Sequence, residues 1–414
     1  MPDIAMLSDA PVSWRRDLLQ FRRYVDPLMS IITSQDTQTP FTIGVYGDWG
    51  SGKTTLLEMV DQRLAERHAE EFVRVHFNPW VHRREPEMLL PLLNALHNTV
   101  SADPKHRFTE MVKKLGVITM NLAADELLKK LNLGAVSVEK IGKLAQQYAE
   151  MRGQIDSQTG RLREALQEQA DHLAKENRKI VFFVDDLDRC GPDQIIDLLE
   201  SIKLFLDLRN VFVVIALSKD VVDRGVSVRY EAFKFPATVH IGDDYLDKMI
   251  QLPVHLYPLG PAEVGRFIRE SGPGKLAQQH VAILEQTVTP NPRKIKRVLN
   301  LLRLTEAIID ATPRLADLHT DLIARLVVLR VQSPDLYAEV ARLPTLLHAI
   351  ELVHQHKLKY PPDWHDRFGE QADRLRELSD VYTTKYDFLA LLFAKSAFAA
   401  SADELSVYLT MIGG

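Results

Sequence analysis

Phe41-Thr42-Ile43-Gly44-Val45-Tyr46-Gly47-Asp48-Trp49-Gly50-Ser51-Gly52-Lys53-Thr54-Thr55 decides how this chain is read. It opens as a short apolar and β-branched run, which predicts a buried strand. Gly47, Gly50 and Gly52 then break it into a loop. Lys53-Thr54-Thr55 leads into Leu56, Leu57, Met59, Val60 and Leu64, whose three-and-four spacing gives a helix one apolar face. Strand, glycine loop and helix, in that order, are the context a phosphate-binding loop requires. Gly47-x4-Gly52-Lys53-Thr54 meets that pattern without a mismatch.

The chemistry needs these residue types. A triphosphate carries several negative charges that something other than water must solvate. Backbone N–H groups converging on a helix N-terminus, with its partial positive charge, supply that solvation. The expected nucleotide contacts are Gly47, Asp48, Trp49, Gly50, Ser51, Gly52, Lys53, Thr54 and Thr55. Lys53 is expected on the β- and γ-phosphates and the Thr54 hydroxyl on Mg²⁺. The competing reading, a glycine-rich turn with an accidental Gly-Lys-Thr, explains neither the strand before it nor the helix after it.

The whole chain sets wider bounds. Its 414 residues leave room for two or three domains, and 46% hydrophobic with 26% charged residues is ordinary globular composition. A net charge of −5 gives no global attraction to nucleic acid or to an anionic membrane. The single cysteine, Cys190, excludes an internal disulfide framework and a cysteine zinc cluster. No secretory signal pattern opens the chain, and no apolar run approaches a membrane-spanning length. The expectation is a cytoplasmic protein without a transmembrane segment.

In chain order, Trp14 to Ile32 reads as one amphipathic helix with Arg15, Arg16, Arg22 and Arg23 on its solvated face. Phe72-Val73-Arg74-Val75-His76-Phe77 alternates like a strand and exits at Asn78-Pro79-Trp80, where Trp80 is expected to pack in the core. His76 and His82 have no partner at ligand spacing and read as structural. From Met88 to Asn177 the pattern turns helical and polar. Ile141, Leu144, Tyr148, Met151, Ile155, Leu162, Leu166 and Leu173 keep steps that suit either a helical hairpin open to partners or a helical pair covering the sheet.

Ile180-Val181-Phe182-Phe183-Val184-Asp185-Asp186 is the second anchor. A continuous apolar run reads as a strand buried on both faces, and its C-terminal end is where ligands of an open α/β sheet bind. Asp185 is the expected Mg²⁺ partner and Asp186 the expected group to orient or deprotonate water. Ile195 to Leu208 reads as a helix. Val211 to Leu217 is another buried strand, leaving Ser218 as a candidate γ-phosphate sensor, and Gln251 to Leu256 is a further strand. From Pro258 onward the chain reads as helical. Asn291-Pro292 suits an N-cap and first turn, with Ile295, Val298, Leu299 and Leu302 on one face and Arg293, Lys296 and Arg297 on another.

Together these pieces resemble the KAP family of P-loop NTPases, related to AAA+ and STAND proteins. The matching stretches are Gly47 to Thr54, Phe77-Asn78-Pro79-Trp80, Val184-Asp185-Asp186-Leu187-Asp188-Arg189, Tyr245-Leu246-Asp247-Lys248 with Leu252-Pro253, and Asn291-Pro292-Arg293 with Lys296-Arg297. The resemblance spans roughly Pro40 to Leu302. It implies a parallel sheet in which the strand ending at Leu217 lies between the phosphate-loop strand and the Asp185 strand. It also implies a helical lid whose Arg293 takes a sensor-2-like position over the nucleotide. Two features depart from the family pattern: the insertion is polar where many members carry transmembrane helices, and the acidic residue usual in the family is a serine at 218, with Asp220 two residues on. Arg209, Arg224 and Arg229 are candidates for an arginine finger acting in trans.

The expected architecture is α/β, a P-loop NTPase parallel sheet with flanking helices, a helical insertion and a C-terminal all-helical region. Residues 1–87 and 178–258 form the nucleotide-binding domain, 88–177 the insertion, 259–310 the lid and 311–414 the C-terminal domain. The leading functional expectation is a Mg²⁺-dependent ATPase, with ATP and Mg²⁺ as cofactors, acting as a switch or assembly motor. Lys53, Asp185, Asp186 and Arg293 are its catalytic candidates. Family analogy points to defence against phage or mobile elements. The alternatives are an ATP-gated binding module with little hydrolysis and a P-loop small-molecule kinase. A protein partner or self-association is expected through the insertion or the C-terminal domain.

Overall fold

The computed structural model describes residues 5–85, 88–101, 160, 162–230, 241–272, 274–315, 317–358, 361–393 and 402–413. β1 (Phe41–Tyr46), β2 (Phe72–Phe77), β3 (Lys179–Val184), β4 (Val211–Leu217) and β5 (Leu252–His255) form one parallel sheet in the order β2-β3-β4-β1-β5. The strand ending at Leu217 therefore does lie between the phosphate-loop strand and the Asp185 strand. All seven residues of β4 are buried, as a central parallel strand covered on both faces demands. β5 alternates between half-buried and exposed and carries Pro253, which an edge strand tolerates because no further ladder needs its missing N–H.

The helices between the strands cover the sheet. α1 (Arg22–Thr33) packs on α2 (Lys53–Arg67), which follows β1 directly. α3 (Leu89–Ser101) and α4 (162–175) lie between β2 and β3 in sequence. Leu92, Leu93 and Leu96 of α3 share one core with Leu162, Leu166 and Leu173 of α4 and with Val75 and Phe182 of the sheet. The two ends of the expected insertion thus help cover the sheet; its middle, including Ile141 to Ile155, lies outside the described residues. α5 (Pro192–Ser201) continues through a π-helical turn at Ile202–Leu206 before β4. Each fully buried aliphatic or aromatic side chain in such a core contributes about 1.5–3 kcal/mol.

The single helix expected from Trp14 to Ile32 is not formed. A 3-10 turn at Trp14–Arg16 and the helix Arg22–Thr33 are separated by Gln20, whose φ of 56° is left-handed and ends any helical run. Trp14 instead works as an anchor. Its ring lies under the Arg63 guanidinium at 4.4 Å, and its indole N–H donates to Glu66 at 3.1 Å. Trp80 is half-buried rather than in the core, with the Arg83 guanidinium stacked 4.1 Å from its ring; Pro79 is the buried member of that pair.

The chain divides into two compact units. One comprises Pro11–Arg15 and Phe21–Leu256 and holds the sheet; the other comprises Met1–Ala10, Arg16–Gln20 and Tyr257–Gly414. The described elements of this second unit are all helical. After α6 (Lys219–Arg229) and α7 (Ile241–Met249) of the sheet unit come α8 (Pro261–Glu270), α9 (Lys275–Gln279) and α10 (Val281–Thr287). They lead to α11 (Pro292–Ala311), capped as its sequence predicts: Asn291 Oδ1 accepts from the N–H of Arg293 at 3.1 Å and of Lys294 at 3.3 Å. α12 (Thr320–Gln332) follows, with Ile323, Leu326, Val327 and Leu329 fully buried. Residues 5–9 run along α11: Leu7 and Asn300 exchange two hydrogen bonds of 2.7 Å, and Lys296 Nζ donates to Ser8 O at 2.8 Å.

Candidate functional site

Register brings three strand ends to one edge of the sheet. Tyr46 pairs with Leu217 and Val184 with Ile215, so Gly47, Asp185 and Ser218 leave β1, β3 and β4 at neighbouring points. Phe77 pairs with Val184, which adds Asn78 from β2. This is the carboxyl edge, where open parallel sheets bind their ligands.

The loop from Gly47 to Gly52 has the backbone freedom that an anion-binding loop requires. Gly50 and Gly52 have φ of 84° and 104°, conformations that side chains with a Cβ resist. A Cβ at Gly47 would lie 2.6 Å from Ser51 Oγ. Lys53 begins α2 yet is only 8% exposed, because it turns back across the loop. Its Nζ donates to Gly47 O at 2.8 Å and to Asp48 O at 3.2 Å, and pairs with Asp188 at 3.3 Å. Ser51 Oγ is buried and has no hydrogen-bond partner. An orphaned hydroxyl inside a glycine loop, beside a buried lysine, fits a phosphate oxygen. Thr54 and Thr55 occupy the first turn of α2.

The carboxylates after β3 differ in environment. Burial pushes the Asp185 carboxyl above its ordinary range and the charges of Asp186 and Asp188 add to this, against hydrogen bonds from the Thr54 side chain and the Asp186 N–H. A buried carboxylate crowded by like charges and touching Thr54 is a position that a divalent cation relieves. Asp186 has a left-handed φ of 59°, which swings its side chain away from the strand direction. Both its oxygens are held: Oδ2 accepts from Asn78 Nδ2 at 3.0 Å, and Oδ1 pairs with Arg189 Nε at 2.7 Å. Cys190 is buried behind them, its thiol pushed up to about 11 by burial first and by Asp186 and Asp188 next.

The structure therefore gathers Lys53, Thr54, Asp185 and Asp186, with Ser218 at the adjacent strand end as the N-cap residue of α6. Arg293 belongs to the other compact unit, where its Nε pairs with Asp9 at 3.0 Å. Of the arginine-finger candidates, Arg209 pairs with Asp171 and Arg229 with Asp193, while Arg224 is exposed. Asn78 and Asp188 stand in stretches that carry the family resemblance, without an individual role assigned to either. For Asn78 the signal was available: it follows β2, the neighbour of β3, so it stands beside whatever follows Val184.

A sequence profile of the KAP family P-loop domain matches residues 21–309. The chain belongs to the KAP family of P-loop NTPases. Within known proteins, this KAP chain is 22% identical over 270 residues to the phage T7 exclusion protein of Escherichia coli K12. That match covers 61% of the chain but only 34% of the relative's length. An uncharacterised protein of Methanocaldococcus jannaschii is 24% identical over 174 residues, 35% of the chain and 90% of the relative. Among solved structures, Aeropyrum pernix ORC1 in complex with DNA aligns over 98% of the KAP chain and 85% of its own, with 15% identity and a TM-score of 0.35. A Thermotoga maritima RuvB variant aligns over 88% and 86%, with 12% identity and a TM-score of 0.31. Among the described residues, no helix is long and apolar enough to cross a membrane.

Proposed function

We propose that this KAP protein is a Mg²⁺-dependent ATPase whose hydrolysis drives a conformational switch. The observation that carries the proposal is the convergence of Lys53, the orphaned Ser51 hydroxyl, Thr54, Asp185 and Asp186 at one sheet edge. Thr54 and Asp185 would hold Mg²⁺, which supplies charge neutralisation on the phosphates. Lys53 and the loop N–H groups bind and orient the β- and γ-phosphates. Asp186 accepts a proton from water as the water oxygen bonds to the γ-phosphorus and the bond to the β-phosphate oxygen breaks, leaving ADP and phosphate. Ser218 is proposed as a γ-phosphate sensor from the end of β4. Arg293 is proposed as a further γ-phosphate contact, on the family resemblance alone.

Asp186 must first be freed from Asn78 and Arg189 to take a proton, which supports a switch more than a fast, constitutive hydrolase. The same two contacts favour a second reading, an ATP-gated binding module that hydrolyses little. A role in excluding phage is proposed from the likeness to the T7 exclusion protein. Phosphate release from purified protein with ATP and Mg²⁺ separates the readings. Sustained release that Asp186→Asn abolishes supports the ATPase. Tight ATP binding with release no faster than in the variant supports the module. No ATP binding at all removes both.

A further inference from the structure

Asp188 lies three residues beyond the proposed magnesium partner, on a 3-10 turn (Leu187–Arg189) anchored by the fully buried Leu187. It is only 6% exposed, and it carries two contacts into the phosphate loop through a single oxygen. Asp188 Oδ2 pairs with Lys53 Nζ at 3.3 Å and accepts from Trp49 Nε1 at 2.9 Å. Lys53 has three N–H donors. Two are spent on Gly47 O and Asp48 O, contacts that wrap the lysine around its own loop. Asp188 stands within ion-pair distance of the same ammonium. The carboxylate therefore stands where the lysine offers charge to an incoming phosphate. Trp49, 61% exposed at the loop's outer turn, is tied to that same oxygen.

From this geometry we propose that Asp188 is a positioning residue that clasps Lys53 between turnovers and must yield it to the phosphate, with Trp49 released or re-aimed in the same exchange. The inference rests on the nucleotide reading of the loop and adds a regulator to it. A phosphate arriving at Lys53 meets one negative charge already seated there. Asp188 therefore weakens nucleotide binding and hastens product release, while sparing the buried lysine an unpaired charge. The sign is the useful part. A residue that only held the loop in shape would weaken nucleotide binding when altered, whereas removing a competing charge strengthens it.

The test uses the full chain, ADP titrated by calorimetry, and tryptophan emission recorded in parallel. Asp188→Asn is expected to bind ADP about five-fold more tightly, the size of one like-charge contact at about 4 Å in water. Asp188→Glu, which keeps the charge, is expected to stay near wild type. ADP is expected to change the emission of wild type and not that of Trp49→Phe, and unliganded Asp188→Ala, which leaves the indole N–H without that acceptor, is expected to emit like ADP-bound wild type. Equal or weaker ADP binding by a folded Asp188→Asn overturns the proposal. If that variant does not fold, the emission arm decides: an ADP response that persists in Trp49→Phe, or is missing from wild type that binds ADP, overturns it equally. Wild type that binds no ADP removes the nucleotide reading itself, and this inference with it.

Discussion

The two compact units differ in how their polar groups are grouped. In the sheet unit, the buried or half-buried polar groups at the strand ends converge on one another: Lys53 meets Asp188, Asp185 meets Thr54, and Asp186 meets Asn78. Ser51 Oγ is left over, and Asp185 is held in an unfavourable ionisation environment. In the helical unit many such groups are closed into caps and tethers, although Thr305 Oγ1 and Ser379 Oγ are buried there without a hydrogen-bond partner. Asn291 caps α11, Asn300 and Lys296 bind the 5–9 segment, and Arg325, also buried, pairs with Asp321 at 2.8 Å. The first arrangement gathers lysine and carboxylates at one sheet edge; the second distributes its polar groups along the helices. That contrast supports the proposal that the chemistry lies in the sheet unit.

The contrast can be broken by substitution, and the largest effect belongs to the loop. Lys53→Ala is expected to lower ATP affinity and hydrolysis together, hydrolysis by about a thousand-fold, the upper range for losing one preorganised donor. Calorimetry and phosphate release read this directly. Leu326→Ala removes a fully buried side chain from α12 and is expected to cost about 3 kcal/mol in the helical unit. Denaturant unfolding should show that loss, and nucleotide affinity at temperatures where both units stay folded should not change. Asn291→Ala deletes the α11 cap and is expected to cost about 1 kcal/mol. Smallest is the tether between Asp335 of the helix Pro334–Arg342 and Lys385 with Tyr386.

Burial pushes the Asp335 carboxyl up, but hydrogen bonds from Lys385 and Tyr386 outweigh it and hold it at about 2. A depressed carboxyl stabilises the fold above its unfolded value and loses that contribution as pH falls through the folded one. The tether should therefore act fully above about pH 4, an ordinary Asp value, and fade toward pH 2. Asp335→Asn should melt below wild type at pH 7 and together with it near pH 2. A gap between the two melting curves that persists at pH 2 breaks this account.

What the sequence makes legible follows the distance over which each feature acts. The glycine loop between strand and helix, the buried strands and the cap at Asn291 are local patterns of period, glycine placement and capping chemistry, and each appears in the structure where its residues predict it. The strand order came through family resemblance, since no local pattern encodes which buried strand lies beside which. The break at Gln20 was hidden because its left-handed backbone has no glycine to announce it. Asp188 stands in the stretch that carries the family resemblance, but its contact with Lys53 is not legible there, because only the fold turns Lys53 back toward it. Trp49 looks out of place among glycines until its indole is seen to share the oxygen that holds the lysine.

The central claim is that the sheet edge hydrolyses ATP through Lys53 and Asp186. Its most direct test is the steady release of phosphate from purified protein with ATP and Mg²⁺, measured beside Lys53→Ala and Asp186→Asn. Sustained turnover is expected in wild type, ATP binding without turnover in Asp186→Asn, and weakened binding with turnover about a thousand-fold lower in Lys53→Ala. Equal background release from all three proteins would contradict the claim.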